Sequence, residues 1–369
     1  MLKNIGLIVN PIAGMGGRVG LKGTDGEDIL RRAINLGAKP IAPQRAKIML
    51  SSLKKYDLKF TLITAPKLMG EYEAREVGYK PIVIGEISEK TTGEDTRRIA
   101  KLMADFGIDL LVFCGGDGTA RDIYSAIDML IPVIGVPTGV KMHSAVFAVN
   151  PVMAASLVAD FIRGVLPLRD GEVMDVDESA FRSDKLIVKL YGYLKIPYRY
   201  GLVQNAKSPS PQTEDERENQ LAIAKYFVES MEKNVLYILG PGTTVKAVAD
   251  VLNVQKTLLG VDLVFNFKVY DVDVNEEKIL KAIKNRTAKI VVSPIGSQGF
   301  IFGRGNQQIS PEVIRRVGKN NIVVLATHHK LSTIDALRVD TGDPEVDEYL
   351  RGYLRVICDY REERIVKVI

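Results

Sequence analysis

Short apolar runs alternate with amphipathic stretches along the first 150 residues. Ile5–Asn10 (IGLIVN) has no polar side chain before Asn10, as a strand covered on both faces requires. EDILRRAINLG then predicts a helix that stops at Gly37. LKFTLITAP and PIVIGE read as the second and third strands. TTGEDTRRIAKLMADFG reads as a helix, with Ile99, Leu102, Met103 and Phe106 on one stripe and Gly107 at its end. IDLLVFC and IPVIGVP are the fourth and fifth strands. Helices between short apolar strands imply a parallel sheet. In such a sheet ligands bind beyond the carboxyl ends of the strands, where the glycine-rich turns after Val9, Cys114 and Val136 fall.

The pattern changes in the middle. Between Gly171 and Gly201 polar and apolar residues alternate, which predicts antiparallel strands. Lys207–Gln220 (KSPSPQTEDERENQ) reads as a polar loop entering the helix LAIAKYFVESMEKN. Strand–turn–helix alternation then resumes, from VLYILGPGTTVKAVADVLN to NIVVLAT, and the last forty residues read as returning strands. The expected fold class is α/β. It comprises an N-terminal parallel, Rossmann-like domain over residues 1–150 and a C-terminal domain over 151–369. The latter is β-rich at 170–205 and 335–369, with an inserted α/β unit at about 234–330.

Composition narrows the function classes. A chain of 369 residues favours two domains. Net charge is +5, from 50 basic and 45 acidic residues with no basic run longer than a pair, so nucleic acid is not an expected partner. Two cysteines, Cys114 and Cys358, without a CxxC motif point to a reducing, cytoplasmic setting. MLKNIGLIVNPIAG has too short an apolar run for a signal peptide, and no run approaches a membrane span.

The turn after the fourth strand, GGDGT, poses the chemical question. Gly115, Gly116 and Gly118 let backbone N–H groups approach a phosphate, and the helix from about Thr119 favours an anion at its start. Asp117 is the wrong charge for that task alone. It either ligates a divalent cation bridging phosphate oxygens, or takes a proton from an attacking hydroxyl, or merely caps the helix. In PTGVKMHS, Lys141 offers charge to a phosphate, and Thr138, Gly139 and Ser144 offer contacts; His143 is a weaker acid–base candidate. GSQGFIFGRGNQQ has a binding loop's composition: Gly296 and Gly299 for turns, Arg304 for a phosphate, Gln298, Asn306 and Gln307 for a base or ribose. Ser310 reads as a helix cap with Pro311 at the first helical position. His328 and His329, adjacent on an extended segment, would face opposite ways and make a poor chelating pair. Cys114 reads as a small buried hydrophobe.

DLLVFCGGDGT resembles the core motif of the NAD kinases, whose superfamily includes diacylglycerol kinases, sphingoid kinases and 6-phosphofructokinases. IVNPIAGMGGR, with Asn10 and Gly14, is similar to that superfamily's Asn-Pro start. GVPTGVKMHSAVFA, GPGTT and GSQGFIFGRGNQQISPEVI look like blocks of the ATP-NAD kinase, AcoX-like subgroup. The resemblance implies phosphorylation of the adenosine ribose 2′-hydroxyl of NAD, with Mg²⁺ or another divalent cation, ATP or polyphosphate as donor, and a homo-oligomeric assembly. Asp117 matches the aspartate that activates the hydroxyl. Gly242, Thr243 and Thr244 partly echo the nucleotide-contacting TPTGST motif. The Asn-Glu pair that holds the NAD adenosine has no evident counterpart between Ala180 and Gln220. That leaves another small-molecule or lipid hydroxyl as alternative acceptor, or a non-catalytic nucleotide sensor of the same fold.

Overall fold

The computed structural model describes residues 2–17, 19–21, 27–139, 142–176, 188–199, 202–203, 213–295 and 298–369. Contacts divide the chain into two compact units, Met1–Met15, Thr24–Leu30 and Lys39–Lys207 in one, and Gly16–Gly23, Arg31–Ala38 and Ser208–Ile369 in the other.

In chain order the first stretch runs β1 (Lys3–Val9), α1 (Glu27–Asn35), α2 (Ala42–Lys54), β2 (Phe60–Thr64), α3 (Glu71–Glu76), β3 (Ile82–Val83), α4 (Gly93–Phe106), β4 (Leu110–Gly115), α5 (Asp117–Ile127) and β5 (Val133–Pro137). The five strands form one parallel sheet in the order β3-β2-β1-β4-β5. β4 and β5 are buried at every residue, so their apolar runs have no solvent face. Strand order reverses between β1 and β4, and the crevice beyond their carboxyl ends is where such sheets take ligands. α4 starts with a capping box, Thr92 and Asp95 each bonding the other's backbone, and ends on Gly107 in the left-handed conformation.

α6 (Pro151–Ile162) and the antiparallel hairpin β6 (Leu168–Val176) and β7 (Val188–Pro197) complete this unit. The sequence places a boundary near residue 150. In the structure Ala154, Leu157 and Val158 of α6, Val173 of β6 and Leu194 of β7 join the core of the parallel sheet, so contacts part near 207.

The second unit runs α7 (Glu214–Glu229), β8 (Val235–Leu239), α8 (Thr243–Leu252), β9 (Asp262–Phe265), β10 (Lys268–Asp271), α9 (Glu276–Ile283), β11 (Thr287–Val292), β12 (Phe300–Phe302), α10 (Pro311–Val317), β13 (Ile322–Leu325), α11 (His328–Ser332), β14 (Arg338–Val339), α12 (Pro344–Leu350), β15 (Gly352–Asp359) and β16 (Glu362–Val368). One seven-stranded sheet has the order β10-β9-β8-β11-β13-β15-β16. Its centre is parallel and its margins antiparallel. Alternate residues of β8 serve two cores: Leu236 and Ile238 join one, Val235, Tyr237 and Leu239 the other. The predicted α/β stretch and the returning C-terminal strands are thus one sheet, because β15 pairs parallel with β13 and antiparallel with β16.

Two local readings differ. Residues 214–220 are helical and not loop: Thr213 caps α7 by accepting from the Glu216 N–H, and three acidic residues fill its first turn. His328 and His329 open α11 and do not lie on an extended segment, because Thr327 caps a short helix there.

Candidate active site

In the first unit the turns after β1, β4 and β5 come together. Asn10 donates its N–H to the Cys114 carbonyl and its side-chain amide to Thr119 Oγ1, 3.0 Å away, fastening the end of β1 to the first turn of α5. The Thr138 N–H bonds the Gly115 carbonyl, tying β5's end to the same turn. Gly116 and Gly139 face one another so closely that a Cβ on Gly139 would lie 3.6 Å from the Gly116 Cα. Thr138 Oγ1 is buried and has no hydrogen-bond partner among the described residues. Gly14 has φ +81°, and a Cβ there would overlap the Thr138 carbonyl. Gly14→Ala should therefore lower stability by about 1–3 kcal/mol, read as a drop in melting temperature. An unchanged melt would mean that this turn does not hold the described conformation.

Asp117 is the first helical residue of α5, with Gly116 as the cap, and makes no side-chain cap of its own helix. The capping alternative is thereby removed. Its carboxylate instead accepts the backbone N–H groups of His143, at 2.6 Å, and Ser144, at 3.0 Å. The residue is 5% exposed, and burial pushes its carboxyl up to about 6 in spite of these bonds, which act in the opposite direction. No basic side chain pairs with it among the described residues; Asp175 adds a further upward push. A buried carboxylate at the strand-order reversal, its carboxyl pushed up to about 6, has the properties that proton transfer asks of a side chain. The Ser144 hydroxyl lies 2.8 Å from the Met174 carbonyl, accepts the Met174 N–H at 2.9 Å, and also faces the Asp117 carboxylate, where it opposes the upward push of burial. Lys141 lies outside the described residues.

In the second unit Gly242 (φ +109°) opens α8. Thr243 Oγ1 accepts from the Gln220 amide, and Thr244 Oγ1 accepts from Lys330 Nζ at 3.0 Å. Ser293, directly after β11, accepts from the same ammonium, also at 3.0 Å. Lys330 thus joins the carboxyl ends of β8, β11 and β13. It is 9% exposed, among the described residues its ammonium bonds only neutral hydroxyls, and burial depresses its pKa to about 8, Glu216 opposing this through space. Reading HHK only as a metal motif misses Lys330, and with it Ser293. The available signal is position: each follows an apolar strand at its carboxyl end.

The 298–307 block is braced from within. Asn306 accepts the Gly303 N–H and donates to the Ile301 carbonyl, while Gln307 donates to the Gly303 carbonyl. Arg304 is buried over the Phe300 ring, 3.3 Å from Asp340. Gln298 is buried, and Gly299 has φ +74°, a Cβ there overlapping the Ala336 carbonyl. Gly296 lies outside the described residues.

Residues 5–165 match the ATP-NAD kinase N-terminal domain and residues 232–368 the ATP-NAD kinase C-terminal domain. The chain belongs to the ATP-NAD kinase family, and these matches leave the acceptor open. Among curated proteins none matches. Solved structures similar to parts of it include two described as diacylglycerol kinases from Bacillus anthracis str. Sterne. One is 16% identical with TM-score 0.27, the other 18% identical with TM-score 0.26. Each match covers 47% of this chain and 46% of the other, so this chain spans less than half the length of those proteins. No helix among the described residues is long and apolar enough to cross a membrane.

Proposed function

We propose that the protein transfers the γ-phosphoryl group of ATP to the adenosine ribose 2′-hydroxyl of NAD, giving NADP and ADP. The observation that carries this reading is Asp117, a buried carboxylate within a glycine turn at a helix N-terminus. The backbone N–H groups of that turn suit phosphate, and the carboxylate suits the acceptor hydroxyl, whose proton it takes as the new P–O bond forms. The amides of His143 and Ser144 hold the carboxylate in place for that task.

The family implies Mg²⁺. A buried carboxylate with no basic partner among the described residues would suit a hard ion, the alternative to proton transfer as the role of Asp117. Such an ion supplies charge neutralisation on the transferred group. In the second unit, Lys330 and the Gly242–Thr244 turn are proposed to hold an anionic part of a nucleotide, the buried ammonium being one that a phosphate would complement. Two free, buried cysteines support a cytoplasmic setting.

The test is incubation with ATP, Mg²⁺ and NAD, with NADP measured directly. Polyphosphate as donor and a lipid alcohol as acceptor serve as parallel arms. NADP formation supports the proposal. ATP consumption with the lipid and none with NAD moves the acceptor, and no turnover in any arm leaves a nucleotide-binding protein. Because a base must be ionised to work, kcat/KM should fall about tenfold per pH unit below an apparent pKa near 6. A profile flat from pH 5 to 8 would remove Asp117 from the proton transfer.

A further inference from the structure

His328, rejected above as half of a histidine pair, meets different partners. Its Nε2 lies 3.2 Å from Asp359 Oδ2 and 3.7 Å from Glu362 Oε2. The other oxygen of Glu362 is 3.5 Å from Cys358 Sγ. Imidazole nitrogen, thiol sulfur and the Glu362 carboxylate all lie within 4.8 Å of one another. We propose that His328, Cys358 and Glu362, with Asp359 alongside, form a binding site for a zinc-class divalent ion in the second unit.

Donor chemistry selects the ion. One nitrogen, one sulfur and one or two carboxylate oxygens suit a borderline metal, whereas Mg²⁺ and Ca²⁺ take oxygen alone. Spacing is close. Ligands about 2.0–2.3 Å from a tetrahedral ion sit roughly 3.3–3.8 Å from each other. His328 stands 3.2 Å from Asp359 and 3.7 Å from Glu362, and Cys358 stands 3.5 Å from the other Glu362 oxygen; with the three ligand atoms within 4.8 Å of one another, side-chain rotation has to draw the set together around an ion.

The backbone is set for it. The Asn219 side chain accepts the His328 N–H at 3.0 Å and donates to the Cys358 carbonyl at 2.9 Å, so a single amide fixes both residues. Glu362 and Asp359 are paired across the turn between β15 and β16, which puts both carboxylates at the same end of the hairpin. Charge also balances. A thiolate and two carboxylates exceed a divalent ion by one negative charge, and Arg364, with Nη2 3.3 Å from Glu362 Oε1, supplies the compensating positive charge. The thiol now donates its proton towards Glu362. On binding, the S–H bond is replaced by an S–metal bond and the proton leaves to solvent, without oxidation or reduction. The ion would clamp the start of α11 to the β15–β16 hairpin.

The test uses the whole chain after dialysis against chelator, titrated with Co²⁺ and followed by the thiolate-to-cobalt charge-transfer absorption. Saturation at one equivalent, displacement by Zn²⁺ and a raised melting temperature in Zn²⁺ are expected. Cys358→Ser should abolish the band. His328→Ala, a change at a partly exposed position that spares the core, should weaken binding by more than the 10–100-fold typical of losing an outer partner. His329→Ala and Cys114→Ser should bind as the parent chain does. No thiolate band, a band that survives Cys358→Ser, or His328→Ala binding as tightly as the parent would each overturn the site.

Discussion

On the proposed function, Asp117→Asn should leave a folded protein whose turnover is lower by at least about a hundredfold, the usual scale of general-base assistance. The amide cannot take a proton, while the turn's backbone, which the substitution does not alter, still offers its N–H groups to phosphate. Stability follows from two opposed changes. In the parent chain the carboxyl titrates near 6, above its ordinary value of 3.8, so the folded state resists ionising it. Because the folded pKa is raised, the group's stabilising share is complete below about pH 4 and is lost as pH climbs through 6. That loss is on the order of 2–3 kcal/mol above pH 7, and Asn avoids it. Against this, Asn has one acceptor where two backbone N–H groups converge, and leaving one unmet costs about 1–3 kcal/mol. The melting temperatures of variant and parent should therefore nearly coincide at pH 8. At pH 5 the variant should melt lower. A variant with parental turnover would return Asp117 to holding the 143–144 backbone and nothing more.

The parts of this molecule that are legible from its sequence are those where local chemistry and tertiary role coincide. β4 reads as a buried strand because each of its residues is buried, and Gly107 and Ser310 end and begin helices by local geometry alone. α2 escapes a reading of periodicity although Ala42, Ala46, Met49, Leu50 and Leu53 form its buried face. Two of those five are alanines, too small to stand out against the intervening Lys47, Ser51 and Ser52. The start of α7 reads as loop because its acidic first turn carries no apolar signal, yet that charge is what a helix N-terminus favours.

The site shows the same division. Asp117 stands out because a carboxylate in a glycine turn needs a reason. Two of its partners are hidden, since they are backbone N–H groups from 26 and 27 residues further on, which no side-chain pattern encodes. The amides at 306 and 307 have a binding loop's composition but brace their own turn. Composition does not say which way an amide points. His328 and Cys358 are 30 residues apart and meet only because β13 and β15 are neighbours in the sheet.

Lys330→Met should stabilise the protein near neutral pH and, on the proposed function, weaken nucleotide binding at least about tenfold, or 1.4 kcal/mol. The ammonium is buried against two hydroxyls, and its pKa is depressed from 10.5 to about 8. A lowered lysine pKa means that folding disfavours the charged form. The penalty is complete below about pH 8, on the order of 2–3 kcal/mol, and is relieved as pH rises towards 10.5. Methionine fills similar volume without the charge, and its thioether needs no partner. What the substitution forfeits is two hydrogen bonds, worth about 1 kcal/mol each, and the hydroxyls of Thr244 and Ser293 remain free to turn towards other acceptors. A melting temperature above the parent's at pH 7, with the difference closing by pH 10, is the expected pattern. Binding of ATP and of NAD should each be titrated, because loss for one alone identifies which anion the second unit holds. A buried anchor with no ligand would behave in the opposite way. Its replacement would lower the melting temperature at every pH and leave both affinities where they were, and that outcome would remove Lys330 from the nucleotide site.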